Sequence, residues 1–225
     1  MANQNSFGEN IFRFLFPPKC IICGKNNYFL CEDCYSLIPL ENRFQLNQNL
    51  PKTDLKNLDK IYWASGYKNF IIKKIIQNYK YSPFSKKLSA ILSKILLDFI
   101  ALNELSLKEI DFIIPVPSAN RRKRWRCFDH IKEICQDFSE QIKIPFLSEN
   151  LVKIKESEPQ INLSAEKRKE NLKDIFQCKN PLLINDKNLL IIDDVFTTGA
   201  TMEECAKTLK NSGAKKVYGL VIARD

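Results

Sequence analysis

The sequence predicts an α/β fold in which a parallel sheet is flanked by helices, with a small cysteine-rich module at the N-terminal end. Two apolar runs, near 112–116 and 189–195, are each followed by a polar loop and an amphipathic helix, which is the repeating order of parallel-sheet proteins. Two Cys-x-x-Cys pairs come before both of them. A chain of 225 residues has room for one such domain and an appendage. We therefore expect a module with its linker over 1–58 and an α/β domain over 59–225.

The cysteine-rich module contains four thiols at metal-ligand spacing: Cys20, Cys23, Cys31 and Cys34. Four thiolates form the closed tetrahedral set that structural zinc favours, and Gly24 suits the tight turn that such a site needs. Because sulfur fills all four positions, the zinc would be structural rather than catalytic. A redox dithiol or a pair of disulfides is the alternative.

A polar segment, 41–59, separates this module from the first predicted strand and is interpreted as a linker. Residues 61–67 predict a strand, and two amphipathic helices over 69–80 and 85–102 are expected to cover the sheet. Most lysines of the first helix lie on its polar face and are expected to be solvated. Lys80, near the end of that helix, is a candidate site residue.

Residues 112–116 predict a buried strand that prolines end, and a strongly basic loop follows it. The loop surrounds Trp125 with five cationic side chains and leads into a helix over 128–142. Arginine pairs with phosphate oxygens in a bidentate way, so this loop can receive a pyrophosphate. It can equally follow a nucleic-acid backbone while Trp125 stacks on a base, or be a solvated run of charge. The arginines assigned to either anion are Arg121, Arg122 and Arg126. His130, the chain's one histidine, is expected on the helix surface without a role.

A strand or hairpin is predicted over 143–154. The next segment, 155–173, is long and highly charged, and it ends in a short helix that Ser164 can cap. Long polar loops of this kind in compact domains are often mobile lids over a site.

The stretch 189–213 carries the strongest functional signal. An apolar strand contains two adjacent carboxylates, a loop of small and hydroxylated residues follows, and an amphipathic helix runs to Gly213 at its C-terminal end. A helix N-terminus offers N–H groups and partial positive charge to an anion, and a glycine lets a ligand approach the backbone. Carboxylates beside a phosphate imply sugar hydroxyls or a metal between them, which indicates a ribose 5-phosphate. The residues assigned to this ligand are Asp193, Asp194, Thr197, Thr198, Gly199, Ala200 and Thr201.

Other nucleotide motifs are absent from the sequence. The six glycines allow neither GxxxxGK[ST] nor GxGxxG, so the acids are neither the partner of a P-loop nor part of a dinucleotide fingerprint. An ordinary buried strand with two solvated acids at its end is the remaining alternative.

The run IIDDVFTTGATM resembles the phosphoribosyl pyrophosphate (PRPP) motif of type I phosphoribosyltransferases. The resemblance implies a parallel sheet with its site at the carboxyl ends of the strands. It also implies that Asp193 and Asp194 hydrogen-bond the ribose hydroxyls and orient the sugar in any transfer reaction, that the following loop holds the 5-phosphate, and that Mg²⁺ accompanies PRPP.

The order of parts over nearly the whole chain resembles the ComF family, competence-type proteins that join a four-cysteine zinc module to a phosphoribosyltransferase-like domain. The pieces are CIICG…CEDC, the PVP of 115–117 with the basic loop, PQINLSAEKRKEN and IIDDVFTTGATM. Where the family usually has R-G-F-N-Q, this chain has Arg126-Cys127-Phe128-Asp129-His130. The segment PQINLSAEKRKEN keeps the usual pattern, which implies a lid loop with Gln160, Arg168 and Asn171 over the ligand.

The resemblance further implies a role in natural transformation, in which imported single-stranded DNA is handled with a helicase as partner. Three functions stay open on the residues themselves: a phosphoribosyltransferase of nucleotide or amine metabolism, a DNA-handling adaptor that senses PRPP, and a scaffold whose zinc module binds a partner. The net charge of +9 favours anionic partners without choosing among them.

Compartment is inferred from what the sequence lacks. No apolar run approaches 18 residues and the first residues are polar, so neither a membrane span nor a signal peptide is expected and the cytoplasm is the predicted location. Cysteines outside the module are expected to be inert thiols; they are Cys127, Cys135, Cys178 and Cys205.

Overall fold

The structure, a computed structural model, describes residues 17–42, 55–81, 86–118, 129–155 and 174–225. Within these residues, four parallel strands form the main sheet in the order β1-β6-β5-β2. Their bounds are β1 (Lys60–Gly66), β2 (Phe112–Pro115), β5 (Asn188–Phe196) and β6 (Lys216–Arg224). The predicted parallel sheet is confirmed.

The two central strands are buried on both faces, which explains why their sequences are continuously apolar rather than alternating. In β6 the seven residues between Lys216 and Arg224 are all buried. In β5 burial is continuous from Leu189 to Ile192 and then alternates through the acid pair. The hydrophobic interior therefore lies on both sides of these strands, with flanking helices covering it.

The helices are α1 (Glu32–Ser36), α2 (Phe70–Tyr81), α3 (Lys86–Leu102), α4 (His130–Ile142), α5 (Pro181–Ile184) and α6 (Ala200–Asn211). The predicted helices agree with α2, α3, α4 and α6 within two residues at each described end. Helix α6 covers the face that carries Gly219, because a Cβ built there would lie 3.2 Å from the Cε atom of Met202. Helices α2 and α4 contact the other face through Asp194.

A second sheet consists of two short strands and was predicted only in part. Strand β3 (Leu151–Lys153) pairs antiparallel with β4 (Phe176–Cys178). The predicted strand over 143–154 thus exists only at its end, apart from one parallel bridge between Phe146 and Ile113. The segment between the two strands, 156–173, lies outside the described residues, and so do its assigned lid residues Gln160, Arg168 and Asn171.

The cysteine module packs against helix α3. The hydroxyl of Tyr35 donates a hydrogen bond to Asp98 at 2.6 Å, and the ammonium group of Lys94 lies 4.4 Å from the centroid of the Tyr35 ring. The chain then follows the edge of β1, where the N–H of Glu41 donates to the carbonyl of Ala64. The domain boundary at 58/59 stays a prediction.

No helix among the described residues is long and apolar enough to cross a membrane. The basic loop with Arg121, Arg122 and Arg126 falls in 119–128, outside the described residues.

Candidate functional site

Residues 197–199, called the phosphate loop after the ligand predicted for them, connect β5 to α6 in the predicted strand–loop–helix order. Gly199 is the N-cap of α6 and adopts a left-handed φ of 78°. A Cβ at this position would lie 2.6 Å from Cζ of Phe196 and 3.1 Å from Cδ2 of Leu55, so the loop has no space for a larger residue. Thr197 is exposed, while Thr198 and Thr201 are half-buried. The helix begins at Ala200, so Ala200 and Thr201 belong to its first turn, where backbone N–H groups face outward along the axis.

The two acids of the motif lie on opposite faces of the sheet. Successive side chains of a strand alternate between faces. Ile191 is paired with Gly219, on the α6 face, so Asp193 two residues later points to that face. Asp194 points the other way, toward α2 and α4. Asp193 is half-buried, and its Oδ1 atom accepts a hydrogen bond from the backbone N–H of Asp194 at 2.8 Å.

Asp194 is buried in an ionic cluster with Lys80 and His130. Its Oδ2 atom lies 2.6 Å from Nζ of Lys80 and 2.9 Å from Nε2 of His130. Burial alone would raise the pKa of Asp194, but the charge of Lys80 and the hydrogen bond from His130 hold this pKa well below its usual range. Asp194 is therefore ionised at neutral pH, with Lys80 and His130 both on one of its oxygens.

The expected surface position of His130 is wrong, because the residue is 5 % exposed and contacts Asp194. A signal for this was present in the sequence. His130 lies four and eight residues before the buried Ile134 and Phe138, on the same helical stripe. In the same way Lys80 lies on the stripe of Ile72 and Ile76, and its ammonium group contacts Asp194.

The ends of the basic loop are held beside this cluster. The N–H of Val116, just after β2, donates to the carbonyl of Ile192 at 2.9 Å. At the far end of the loop the hydroxyl of Ser118 lies 3.5 Å from Oδ1 of Asp129, the residue before His130. The residues on both sides of the basic loop therefore lie at the edge of the sheet that carries the acid pair.

The first turn of α6 also anchors the segment that leads into β1. The Oε1 atom of Glu203 accepts hydrogen bonds from the backbone N–H groups of Lys56 and Asn57, each at 2.9 Å, and Oε2 accepts from Leu58 at 3.2 Å. This carboxylate is thus occupied by backbone donors. Its contacts fix Leu55 and its neighbours against the phosphate loop.

A cavity opens at the carboxyl ends of β1 and β6. It has a volume of about 270 Å³ and is lined by Trp63, Arg224 and four other residues, among them Glu41. The guanidinium carbon of Arg224 lies 4.7 Å from the centroid of the Trp63 ring. The carboxyl edge of the sheet therefore carries an aromatic and charged recess.

The four cysteines of the module converge on one point. Their Sγ atoms all lie within 4.8 Å of one another, and the Cys23–Cys31 separation is 3.6 Å. Zinc–sulfur bonds of about 2.3 Å place the sulfurs of a tetrahedral site about 3.8 Å apart, so the cluster has the dimensions of a metal site. Burial would raise the pKa of Cys20, but backbone N–H groups pointing at its sulfur lower it to about 6, which favours the thiolate that a metal binds. The thiols expected to be inert include Cys135 and Cys205, whose pKa burial raises well above the usual value.

The phosphoribosyl transferase domain family matches residues 132–225, a span that contains β5, the phosphate loop, α6 and β6. The chain is also 33 % identical over 151 residues to the DNA utilization protein YhgH of Escherichia coli K12, which is 67 % of this chain and 66 % of that relative. It is 30 % identical over 156 residues to competence protein F of Haemophilus influenzae, with the same coverage of both proteins.

These matches, with the sheet and loop described above, define a protein that contains a phosphoribosyl transferase domain. Within that class the chain belongs to the family of competence protein F, as the sequence predicted. The match spans just under two thirds of the length of both relatives. Among solved structures, the glutamine PRPP amidotransferase of Bacillus subtilis covers 64 % of this chain and 30 % of its own, at 17 % identity and a TM-score of 0.43.

Proposed function

We propose that this chain binds PRPP, or another ribose 5-phosphate, at the carboxyl edge of its sheet and uses that site in the handling of imported DNA. The observation that supports the proposal most directly is the phosphate loop. Gly199 is buried, adopts a left-handed φ and begins a twelve-residue helix whose N-terminal N–H groups can bind an anion, with two threonines beside it and Asp193 before it. The names of the two relatives, competence and DNA utilization, support the cellular role.

The ligand would lie along this edge with its 5-phosphate in the loop and its sugar at the acid pair. Mg²⁺ would bind together with PRPP, since the phosphates need a counter-charge next to carboxylates. The pyrophosphate would point toward β2, where the ends of the basic loop lie, so Arg121, Arg122 and Arg126 are its expected contacts. Zinc in the cysteine cluster would have a structural role.

Calorimetry with Mg²⁺ and PRPP or ribose 5-phosphate tests the site. Replacing both Thr198 and Thr201 by valine removes two hydroxyl donors at almost constant volume, and we expect affinity to fall about tenfold or more. The matched control is Thr208→Val, in the same helix, whose hydroxyl bonds the carbonyl of Glu204. Wild-type protein that binds neither ligand would refute the proposed site.

A DNA-binding role for the basic loop is the second part of the proposal. Its run RRKRWR combines phosphate-pairing cations with an aromatic ring, a combination suited to single strands. Replacing Arg121, Arg122, Lys123 and Arg124 by alanine should weaken binding to single-stranded DNA and flatten its salt dependence. A control with the same change in charge replaces four exposed lysines elsewhere: Lys73, Lys108, Lys179 and Lys215. Equal effects of the two variants would remove the loop from the interface.

Catalytic turnover is a separate question with its own assay. The cavity lined by Trp63 and Arg224, at the carboxyl ends of β1 and β6, is a candidate place for a second reactant. Pyrophosphate release from PRPP, measured with a panel of bases and amines, distinguishes a transferase from a protein that only senses PRPP. Release that depends on one acceptor class and is lost in Asp193→Asn would identify a transferase.

A further inference from the structure

We propose that the segment just before β1 is part of the sugar-phosphate site. Residues 55–58, called the strap, hold the phosphate loop in place, and Glu203 is the positioning residue that anchors the strap. This inference rests on the proposed function and adds a structural element to its site. The strap belongs to the polar segment that the sequence predicts to be a linker, about 140 positions before the phosphate loop.

The strap contacts the phosphate loop through Leu55. A Cβ built on Gly199 would lie 3.1 Å from Cδ2 of Leu55, so this side chain packs directly against the backbone of the loop. The ring of Phe196 lies on the same side of Gly199, 2.6 Å from that Cβ position. Gly199 is the N-cap of α6, so its position decides where the first N–H groups of this helix point. Leu55 therefore restrains the part of the loop that a phosphate would contact.

The carboxylate of Glu203 anchors the strap to the first part of α6. It accepts hydrogen bonds from three consecutive backbone N–H groups, those of Lys56, Asn57 and Leu58, at 2.9, 2.9 and 3.2 Å. The side-chain amide of Asn57 donates a fourth hydrogen bond, at 2.6 Å. Hydrogen bonds to an ionised acceptor are stronger than those between neutral groups. The strap therefore cannot move away from α6 without the loss of several strong hydrogen bonds.

These hydrogen bonds also decide where the negative charge of Glu203 lies. Side chains of a helix point back toward its N-terminus and cover the preceding turn, which for Glu203 is the turn that begins at Gly199. A carboxylate over that turn would compete with a phosphate for the N–H groups and the partial positive charge of the helix end. The strap gives this carboxylate four other donors. An acid in the first turn of α6 is therefore compatible with anion binding at the phosphate loop as long as the strap is in place.

Two leucines allow a matched test of the contact with the loop. Leu55→Ala removes this contact, whereas Leu107→Ala makes the same change at another half-buried position, before β2 and thus toward the amino edge of the sheet. Calorimetry measures the affinity of each variant for ribose 5-phosphate with Mg²⁺, and urea unfolding measures its stability. We expect similar losses of stability, but only Leu55→Ala should bind at least about fivefold more weakly than wild type, because the loop is displaced. Equal affinities of the two variants would overturn the proposal.

Replacement of Glu203 tests the anchor through the direction of the change. If Glu203 were only an acid near an anion site, its removal would raise the affinity for a phosphate. Because the strap loses its anchor, we expect Glu203→Ala to bind ribose 5-phosphate about threefold or more weakly, with Glu203→Gln between this variant and wild type since glutamine keeps one acceptor oxygen. Glu140→Ala, which removes an exposed acid of α4, controls for the change in net charge. An affinity that rises in Glu203→Ala would show that the strap does not hold the loop.

Nitrogen-15 NMR relaxation of the Gly199 amide tests the strap without a ligand. A rigid backbone amide has an order parameter of about 0.85, and a flexible one has a value below about 0.6. We expect a value of about 0.85 in wild type and in Leu107→Ala, and a value below about 0.7 in Leu55→Ala. The same order parameter in all three proteins would contradict the proposal. If wild type binds no sugar phosphate, the proposed function fails, and the order parameter still decides whether the strap holds the loop. Binding by wild type with no difference between the two leucine variants defeats only this inference.

Discussion

The hydroxyl of Tyr35 donates a 2.6 Å hydrogen bond to the carboxylate of Asp98, and this contact joins the helix of the cysteine module to α3. Burial and the neighbouring carboxylate raise the pKa of Tyr35 far above its usual value, so the hydroxyl stays a donor at all physiological pH values. The module is thus held to the α/β domain by a specific polar contact as well as by packing.

Removing this hydroxyl should loosen the module. Hydrogen bonds to charged groups contribute about 1.5–3 kcal/mol, and Asp98 keeps Lys94 as a partner, so we expect Tyr35→Phe to lower the free energy of unfolding by about 1 kcal/mol. Urea unfolding measures the change. Tyr28→Phe in the same module, where the ring is exposed, is the control and should have almost no effect. Equal losses in the two variants would argue against a role for the Asp98 contact.

The cysteine cluster predicts about one zinc ion per chain by elemental mass spectrometry of protein purified under reducing conditions. Cys31→Ser and Cys34→Ser should lose the metal, and a chelator should make the wild-type module sensitive to protease. Cys205→Ala, which changes a buried thiol on α6, should keep full metal content. Metal-free wild-type protein would leave the redox alternative in place.

Gly199 is predicted to tolerate no side chain. Alanine there combines a left-handed φ with a Cβ 2.6 Å from the buried ring of Phe196, so we expect a loss of at least about 1 kcal/mol in the free energy of unfolding. Gly66→Ala is the matched control, because its Cβ would have no atom within 4 Å. Urea midpoints of the two variants give the comparison, and similar midpoints would show that the loop can rearrange around a methyl group.

Acid should selectively remove the contribution of Asp194. Its folded-state pKa lies below the unfolded value of about 4, so the stabilisation is complete above that pH and is lost as the pH falls toward the folded-state pKa. At pH 7 we expect Asp194→Asn to cost about 3–5 kcal/mol, because Lys80 is left without its buried partner.

The difference in the free energy of unfolding between wild type and Asp194→Asn should therefore decrease as the pH is lowered from 5 to about 3. Urea unfolding at each pH measures this difference. Asp186→Asn is a suitable control, since Asp186 is exposed and has a left-handed φ that asparagine also accepts. If the free energy of unfolding of Asp194→Asn differs from that of wild type by the same amount at pH 5 and at pH 3, the buried carboxylate is not held ionised.

The spacing of apolar residues along the sequence was sufficient to predict the main sheet and its helices, and the small and hydroxylated residues after β5 were sufficient to predict a loop there. The stripes of α2 and α4 and the apolar run of β5 extend over many residues, so their patterns are unambiguous. Strands β3 and β4 have three residues each. In so short a segment, the alternation of apolar and polar residues that predicts a strand cannot be distinguished from chance.

The ionic cluster shows a different limit. Lys80 and His130 both lie on apolar stripes, which indicates that they face inward. Their shared partner, Asp194, lies on a different element and more than 60 positions along the chain from each of them. Only the packing of α2 and α4 on one face of β5 brings these charges to the same oxygen. The sequence alone also does not distinguish the adjacent acids Asp193 and Asp194, although the side chains of successive residues in a strand point to opposite faces of the sheet.

The strand order has a consequence for synthesis of the chain. Strand β6 lies between β1 and β5, so among the described strands of the main sheet the one synthesised last is the one that joins β1 to the others. Until β6 arrives, β1 has no neighbour in the sheet and the apolar faces of β5 stay partly open. The main sheet cannot be completed before β6 has been synthesised, so truncations that remove β6 should fail to fold rather than be partly active.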